Sequence, residues 1–115
     1  MELWNYKMIS KSMKILNKLG LHARAAAKVV SVANEYKSNI TLKKDKKNAD
    51  AKSIMKILML SASKGSSIEI IIDGNDQDDA MNAIVELFKN GFGEGLWALL
   101  LMVIEYQKVF ALVGP

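Results

Sequence analysis

The sequence contains no cysteine, a single histidine and a single proline. Without cysteine the chain cannot form disulfides, thiolate zinc sites or iron–sulfur clusters, and it has no thiol nucleophile. One histidine also disfavours a histidine-rich metal site, so we expect neither a metal nor a cofactor. Any chemistry therefore has to use His22, carboxylates, hydroxyls or amines.

Aromatic residues are also scarce, at 7% of the chain, while positive charge is concentrated in its first half. Residues 1–64 carry a net charge of +10 and residues 65–115 a net charge of −6. The basic residues are scattered and lack the interleaved aromatics that stack on bases, so we expect no nucleic-acid partner. A basic face that meets an acidic protein or a phosphate fits the pattern.

The first residues, MELWNYKM, lack the uninterrupted apolar run of a signal peptide, so we expect a cytoplasmic protein. With 115 residues, half of them hydrophobic, the chain is long enough for one globular domain. We divide it into an N-terminal extension (1–7), a globular domain (8–94) and an apolar C-terminal tail (95–115).

Hydrophobic periodicity predicts seven elements in the order β-α-β-β-α-β-α. They are a strand from Ile9, a helix from Ala23 to about Tyr36, short strands around Ile40–Leu42 and Ala49–Ala51, a helix from Ser53 closed by Gly65, the strand SIEIIID, and a helix that is capped within Asn75–Asp79 and ends at Asn90. Helices with one apolar face, interleaved with a mostly antiparallel sheet, indicate an α+β two-layer domain.

The tail is different in composition, with the apolar run LWALLLMVIEYQKVFALV at residues 96–113. As a helix it would be about 27 Å long, slightly short of a hydrocarbon core of about 30 Å. Charges at Glu105 and Lys108 disfavour a membrane span, because each central charge costs roughly 2.5–3.5 kcal/mol. We expect an apolar helix that associates with the tail of a second copy, making a homo-oligomer.

The segment GLHARAAAKVV places the only histidine at the turn between the first strand and the first helix. Amides in the first turn of a helix have no intrahelical acceptor and favour an anion. A phosphoryl group on His22 would face the amides of Ala23, Arg24 and Ala25, with the Arg24 guanidinium beside it. From the spacing alone, an ordinary surface histidine is the alternative.

Three segments in the same order and at the same separation carry a family resemblance: GLHARAAAKVV, AKSIMKILMLSASKGSSIEI and the acidic-capped last helix. Over about residues 8–94 the chain resembles the histidine-containing phosphocarrier (HPr) family of the bacterial phosphoenolpyruvate-dependent sugar phosphotransferase system. The resemblance implies an HPr-like open-faced β-sandwich, in which a four-stranded antiparallel sheet carries three helices on one face.

The resemblance also implies a function. His22 would be phosphorylated on Nδ1 by Enzyme I, with phosphoenolpyruvate as donor, and would pass the group to IIA components. Arg24 matches the family arginine that contacts the phosphoryl group. Ser53 matches the serine modified by HPr kinase/phosphorylase in bacteria that have this enzyme. The chain would then be a carrier rather than an enzyme that turns over a small molecule, and the resemblance does not specify a sugar.

A partner-binding surface is expected at the start of the second helix. Ile54, Met55 and Leu58 lie within one turn and cannot all be buried. The basic residues expected to surround them with positive charge are Lys52, Lys56 and Lys28. In the family, partners dock on this surface, and its charge would steer the acidic faces of Enzyme I and IIA towards His22.

The chain differs from the family pattern at two places, and two other functions are weighed against the carrier function. Ala25 replaces the proline that usually follows the family arginine, and residues 95–115 have no family counterpart. One alternative is a regulatory interaction module controlled by phosphorylation of Ser53, without a role in sugar transport. The other, a hydrolase or transferase, is disfavoured because the sequence gives His22 no obvious paired carboxylate.

Overall fold

The computed structural model describes residues 7–94, together with 103, 104, 107 and 108. The elements are β1 (Ile9–Lys14), α1 (Ala23–Ala33), β2 (Asn39–Lys44), β3 (Lys47–Asp50), α2 (Ile54–Leu58), β4 (Ser67–Asp73), α3 (Gln77–Lys89) and a 3₁₀ turn (Gly91–Gly93). The predicted β-α-β-β-α-β-α order is confirmed.

The four strands form one antiparallel sheet in the order β1-β4-β2-β3. Alternate residues of β4 face the helices, and Ile68, Ile70 and Ile72 are fully buried. The opposite face carries mostly polar residues, such as Lys43, which is paired with Glu69 across β2 and β4. This arrangement of one sheet and three helices confirms the α+β open-faced sandwich.

Small side chains let α1 approach the sheet closely. Ala25, Ala26, Val29 and Ala33 are fully buried on one face of this helix, at the spacing expected of an amphipathic helix. The predicted extension of α1 to Tyr36 is wrong, since the helix ends at Ala33 and the next residues form a turn.

The prediction of a second helix that runs from Ser53 to a C-cap at Gly65 is also wrong. Helix α2 ends at Leu58, and Ser61 takes a left-handed φ of 51°. The segment after α2 instead bonds to the chain before α1: the Leu21 amide donates to the Ala62 carbonyl (2.9 Å), and the Gly65 amide donates to the Ile15 carbonyl (2.8 Å). These tertiary hydrogen bonds replace helical ones and fix the position of the loop that leads to His22.

Asp76 begins α3, as predicted, but its carboxylate makes no capping hydrogen bond to the helix. It accepts instead from the amides of Lys37 (2.8 Å) and Ser38 (3.0 Å) and from the Ser38 hydroxyl. The Ser38 hydroxyl, followed by the Lys37 amide, lowers the pKa of Asp76 below its ordinary value of 3.8. Asp76 therefore ties the start of α3 to the start of β2.

The predicted extension and tail fall largely outside the described residues, so the apolar helix and its self-association stay predictions. Within residues 7–94 and the four described tail positions, no helix combines the length and apolar character needed to cross a membrane.

Candidate functional site

His22 is the N-cap residue of α1. Its backbone is extended (φ −77°, ψ 179°), and its Nδ1 accepts a hydrogen bond from the Arg24 amide at 3.2 Å. The first intrahelical bond runs from the Ala26 amide to the His22 carbonyl, so the amides of residues 23–25 lie at the open end of the helix. The Nδ1 atom therefore faces the anion-binding end of α1, while 27% of the side chain is exposed.

A short loop before α1 sets the direction of the histidine. Asn17 is buried in this loop, and its Nδ2 donates to the Gly20 carbonyl at 2.7 Å. Gly20 has a left-handed φ of 68°, and a Cβ at this position would lie 2.9 Å from the Ser63 Cα. Only glycine fits this close approach, which holds the loop against the segment after α2.

Glu94 supplies a carboxylate to the histidine from the other end of the domain. Its Oε2 contacts His22 Nε2, and its Oε1 accepts from Asn17 Nδ2 at 2.7 Å. The Glu94 side chain is only 12% exposed. The inference from sequence that His22 has no paired carboxylate is therefore wrong.

The turn before Glu94 explains how the carboxylate reaches the site. Gly91, Phe92 and Gly93 all have left-handed φ values, of 60°, 58° and 73°. The Phe92 ring is fully buried and meets the Phe88 ring edge to face, with the centroids 4.9 Å apart. Lys28 Nζ donates to the Phe92 carbonyl at 2.6 Å and so attaches the turn to α1.

The proposed phosphate ligands differ in exposure. Ala23 and Arg24 are exposed at the start of α1, whereas the Ala25 side chain is fully buried beneath it. The structure therefore brings His22 together with the amides of this turn and leaves the Arg24 side chain at the surface beside them.

Ser53 is the N-cap of α2, and its Oγ accepts from the Lys56 amide at 3.3 Å. The predicted cap is present, although α2 has only five residues. Lys56 is exposed, whereas the half-buried Lys52 donates its ammonium to the Tyr36 carbonyl at 2.8 Å. Of the three predicted basic residues, Lys52 and Lys28 are thus engaged with backbone carbonyls, and Lys56 is the exposed one.

The apolar surface predicted on α2 is present and larger than expected. Ile54 and Met55 are exposed and Leu58 is half-buried, while Met59, which sequence reasoning missed, is 69% exposed like Met55. Leu16 and Leu19 are exposed on the loop that precedes His22. Helices α1 and α2, whose N-cap residues are His22 and Ser53, pack against each other.

Asn17 and Glu94 are the site residues that sequence reasoning missed. They lie 77 residues apart and belong to no local motif, and the only signal was the glycine-rich segment GFGE that ends the domain. No group of three or more histidine, aspartate or glutamate side chains in the described part of the chain is arranged to hold a metal ion.

The fold and the site together define a class of small α+β proteins that present one histidine at the N-terminus of a helix. A sequence model of the family described as "PTS HPr component phosphorylation site" matches residues 9–90. The chain therefore belongs to the HPr family of phosphocarrier proteins of the phosphotransferase system.

Individual relatives agree with this assignment. The chain is 46% identical over 87 residues to the phosphocarrier protein HPr of Xylella fastidiosa (76% of this chain, 98% of the relative). It is 45% identical over 89 residues to that of Pseudomonas aeruginosa (76% and 99%). The crystal structure of HPr-C-His from Thermoanaerobacter tengcongensis superposes with a TM-score of 0.71 at 41% identity (79% and 100%).

Proposed function

We propose that this chain accepts a phosphoryl group on His22 Nδ1 from Enzyme I and passes it to IIA components. The observation that carries this proposal is the N-cap geometry, in which Nδ1 points at the Arg24 amide and the open end of α1. A phosphoryl group bonded to this nitrogen would replace the imidazole as acceptor of that amide. The helix dipole favours the added negative charge.

The transfer needs only groups that the site contains. The Nδ1 lone pair attacks phosphorus, the new N–P bond forms, and the electron pair of the broken bond leaves with the donor. The exposed Arg24 guanidinium would stabilise the phosphoryl oxygens without itself reacting. The reverse step hands the group to an acceptor, so the chain acts as a carrier and has no small-molecule turnover of its own.

The surface around the site suits protein partners. Exposed Met55 and Met59 on α2 offer flexible apolar contacts, and exposed Lys56 adds positive charge. We assign this surface to Enzyme I and IIA, whose acidic faces it would attract.

A regulatory role for Ser53 is the second candidate. Its hydroxyl begins the helix that carries Met55 and Lys56, so a phosphate there would add negative charge at the edge of the same surface. HPr kinase/phosphorylase is the enzyme that the family assigns to this step. In the alternative function, this regulation would be the only role of the chain.

The central experiment incubates the full chain with phosphoenolpyruvate and a bacterial Enzyme I and follows an acid-labile mass increase of one phosphate. We expect labelling of the wild type and none of His22→Asn, which keeps a side chain able to cap α1. Arg24→Ala should be labelled more slowly at the same residue, whereas the exposed Lys18→Ala should match the wild type. Labelling that survives in His22→Asn would contradict the proposal.

A further inference from the structure

The two nitrogens of the His22 ring have partners of opposite kind. At Nδ1 the Arg24 amide is a donor, so this nitrogen must offer a lone pair. At Nε2 the Glu94 carboxylate is an acceptor, so this nitrogen must carry the proton. Both contacts specify the same tautomer, with Nδ1 free to act as nucleophile.

We infer that Glu94 is a positioning residue that restricts phosphoryl transfer to Nδ1 and balances the positive charge that the ring acquires during transfer. This inference deepens the proposed function and rests on it. Glu94 lies outside residues 9–90, to which the family model is matched. Its role is therefore read from the geometry of this chain.

The charge balance of the step explains why a carboxylate helps. When the Nδ1 lone pair forms the N–P bond, the ring keeps its Nε2 proton and becomes cationic. The electron pair of the broken donor bond departs with the leaving group. The Glu94 carboxylate, 12% exposed, then faces the positive ring through the Nε2 proton, where water screens it less than at an open surface.

The carboxylate is held at both oxygens. Oε2 contacts the imidazole, and Oε1 accepts from Asn17 Nδ2. Asn17 is oriented by its two acceptors, the Gly20 carbonyl and Glu94, and its own Oδ1 is buried with no hydrogen-bond partner in the described part of the chain. Because the buried Asn17 amide donates to both the Gly20 carbonyl and Glu94 Oε1, it orients the carboxylate that contacts the imidazole.

The test uses phosphoramidate, a small phosphoryl donor that needs no Enzyme I. Attack by the ring forms the N–P bond, breaks the P–N bond of phosphoramidate and releases ammonia. Nitrogen and phosphorus NMR of the ¹⁵N-histidine-labelled full chain would report the rate of labelling and the nitrogen that carries the group. Glu94→Ala and Glu94→Gln are compared with Glu86→Ala, which removes an exposed glutamate of α3.

We expect the wild type and Glu86→Ala to carry the group on Nδ1 alone. Glu94→Ala should react about tenfold more slowly, as expected when a charge-assisted hydrogen bond is lost, and should yield a measurable Nε2 adduct. Glu94→Gln keeps one acceptor oxygen for two donors, His22 Nε2 and Asn17 Nδ2, so its rate and its Nδ1 selectivity should fall between those of the wild type and Glu94→Ala. A merely structural role would lower the rate without producing an Nε2 adduct.

The inference is overturned if Glu94→Ala gives the same proportion of Nδ1 adduct as the wild type, or if the wild type reacts at Nε2. The proposed function has a separate failure. If Enzyme I and phosphoenolpyruvate leave the wild type unlabelled while the phosphoramidate products still depend on Glu94, the carrier role is wrong and the positioning role stands.

Discussion

Replacement of Phe92 by alanine and by glycine should reveal two opposing contributions at one position. The Phe92 ring is fully buried against Phe88, yet its backbone has a left-handed φ of 58°. Loss of the ring should cost about 3–5 kcal/mol of unfolding free energy, because it leaves a cavity in the core. The left-handed backbone costs a non-glycine residue about 1 kcal/mol, which alanine retains and glycine avoids.

We therefore expect Phe92→Gly to be more stable than Phe92→Ala by up to about 1 kcal/mol. This order is the reverse of that in a helix, and Ala27→Gly, at an exposed position of α1, provides the control. There, glycine should lower the unfolding free energy by about 1 kcal/mol.

Urea denaturation at neutral pH, with the slope m compared among variants, measures these differences. The reasoning is refuted if Phe92→Gly is less stable than Phe92→Ala, which would mean that the left-handed turn is not maintained in solution. A loss below about 1 kcal/mol in both variants would mean that the ring is not part of the core.

Three further predictions address charge, regulation and assembly. Because hydrogen bonds lower the pKa of Asp76 in the folded state, its contribution to stability is fully present above the ordinary value of 3.8 and is lost as the pH falls through the folded pKa. The Asp76→Asn variant should thus be less stable than the wild type at neutral pH, and the two should become equally stable in acid. A difference in unfolding free energy that stays constant over the whole pH range in urea denaturation would exclude this role. Ser53→Asp should weaken binding to Enzyme I in calorimetric titration, with Ser31→Asp, at an exposed position of α1, as the control for charge alone. Light scattering should find the full chain as a dimer or larger and a chain without residues 95–115 as a monomer; a full-length monomer at micromolar concentration would contradict self-association.

Much of the fold was predictable because it depends on local periodicity. The alternation of apolar and polar residues in β4 and the apolar face of α1 each depend on residues close together in sequence, and both were predicted correctly. Helix α2 was predicted too long because Gly65, with a φ of 87°, suits a helix cap and a loop turn equally well. Backbone hydrogen bonds with Ile15 and Leu21, which are distant in sequence, favour the loop turn over a longer helix.

The candidate site was likewise predictable only where it depends on residues close together in sequence. The position of His22 at the start of α1 follows from the helix-forming residues after it, so its neighbouring amides could be named from sequence. The contact with Glu94 spans 72 residues and depends on a left-handed turn that includes a phenylalanine. No residue pattern predicts that backbone for Phe92, because non-glycine residues adopt it only where packing imposes it.

The position of Glu94 has a practical consequence for anything attached to this domain. A peptide, tag or fluorophore inserted directly after Glu94, in place of residues 95–115, starts one residue from a side chain in contact with the imidazole. The amino-terminal end of the domain is better placed. Strand β1 runs from Ile9 to Lys14, towards the loop that carries His22, so an attachment before Ile9 begins a strand length of about 20 Å further away. Probes that report on phosphoryl exchange should therefore be joined at the amino end.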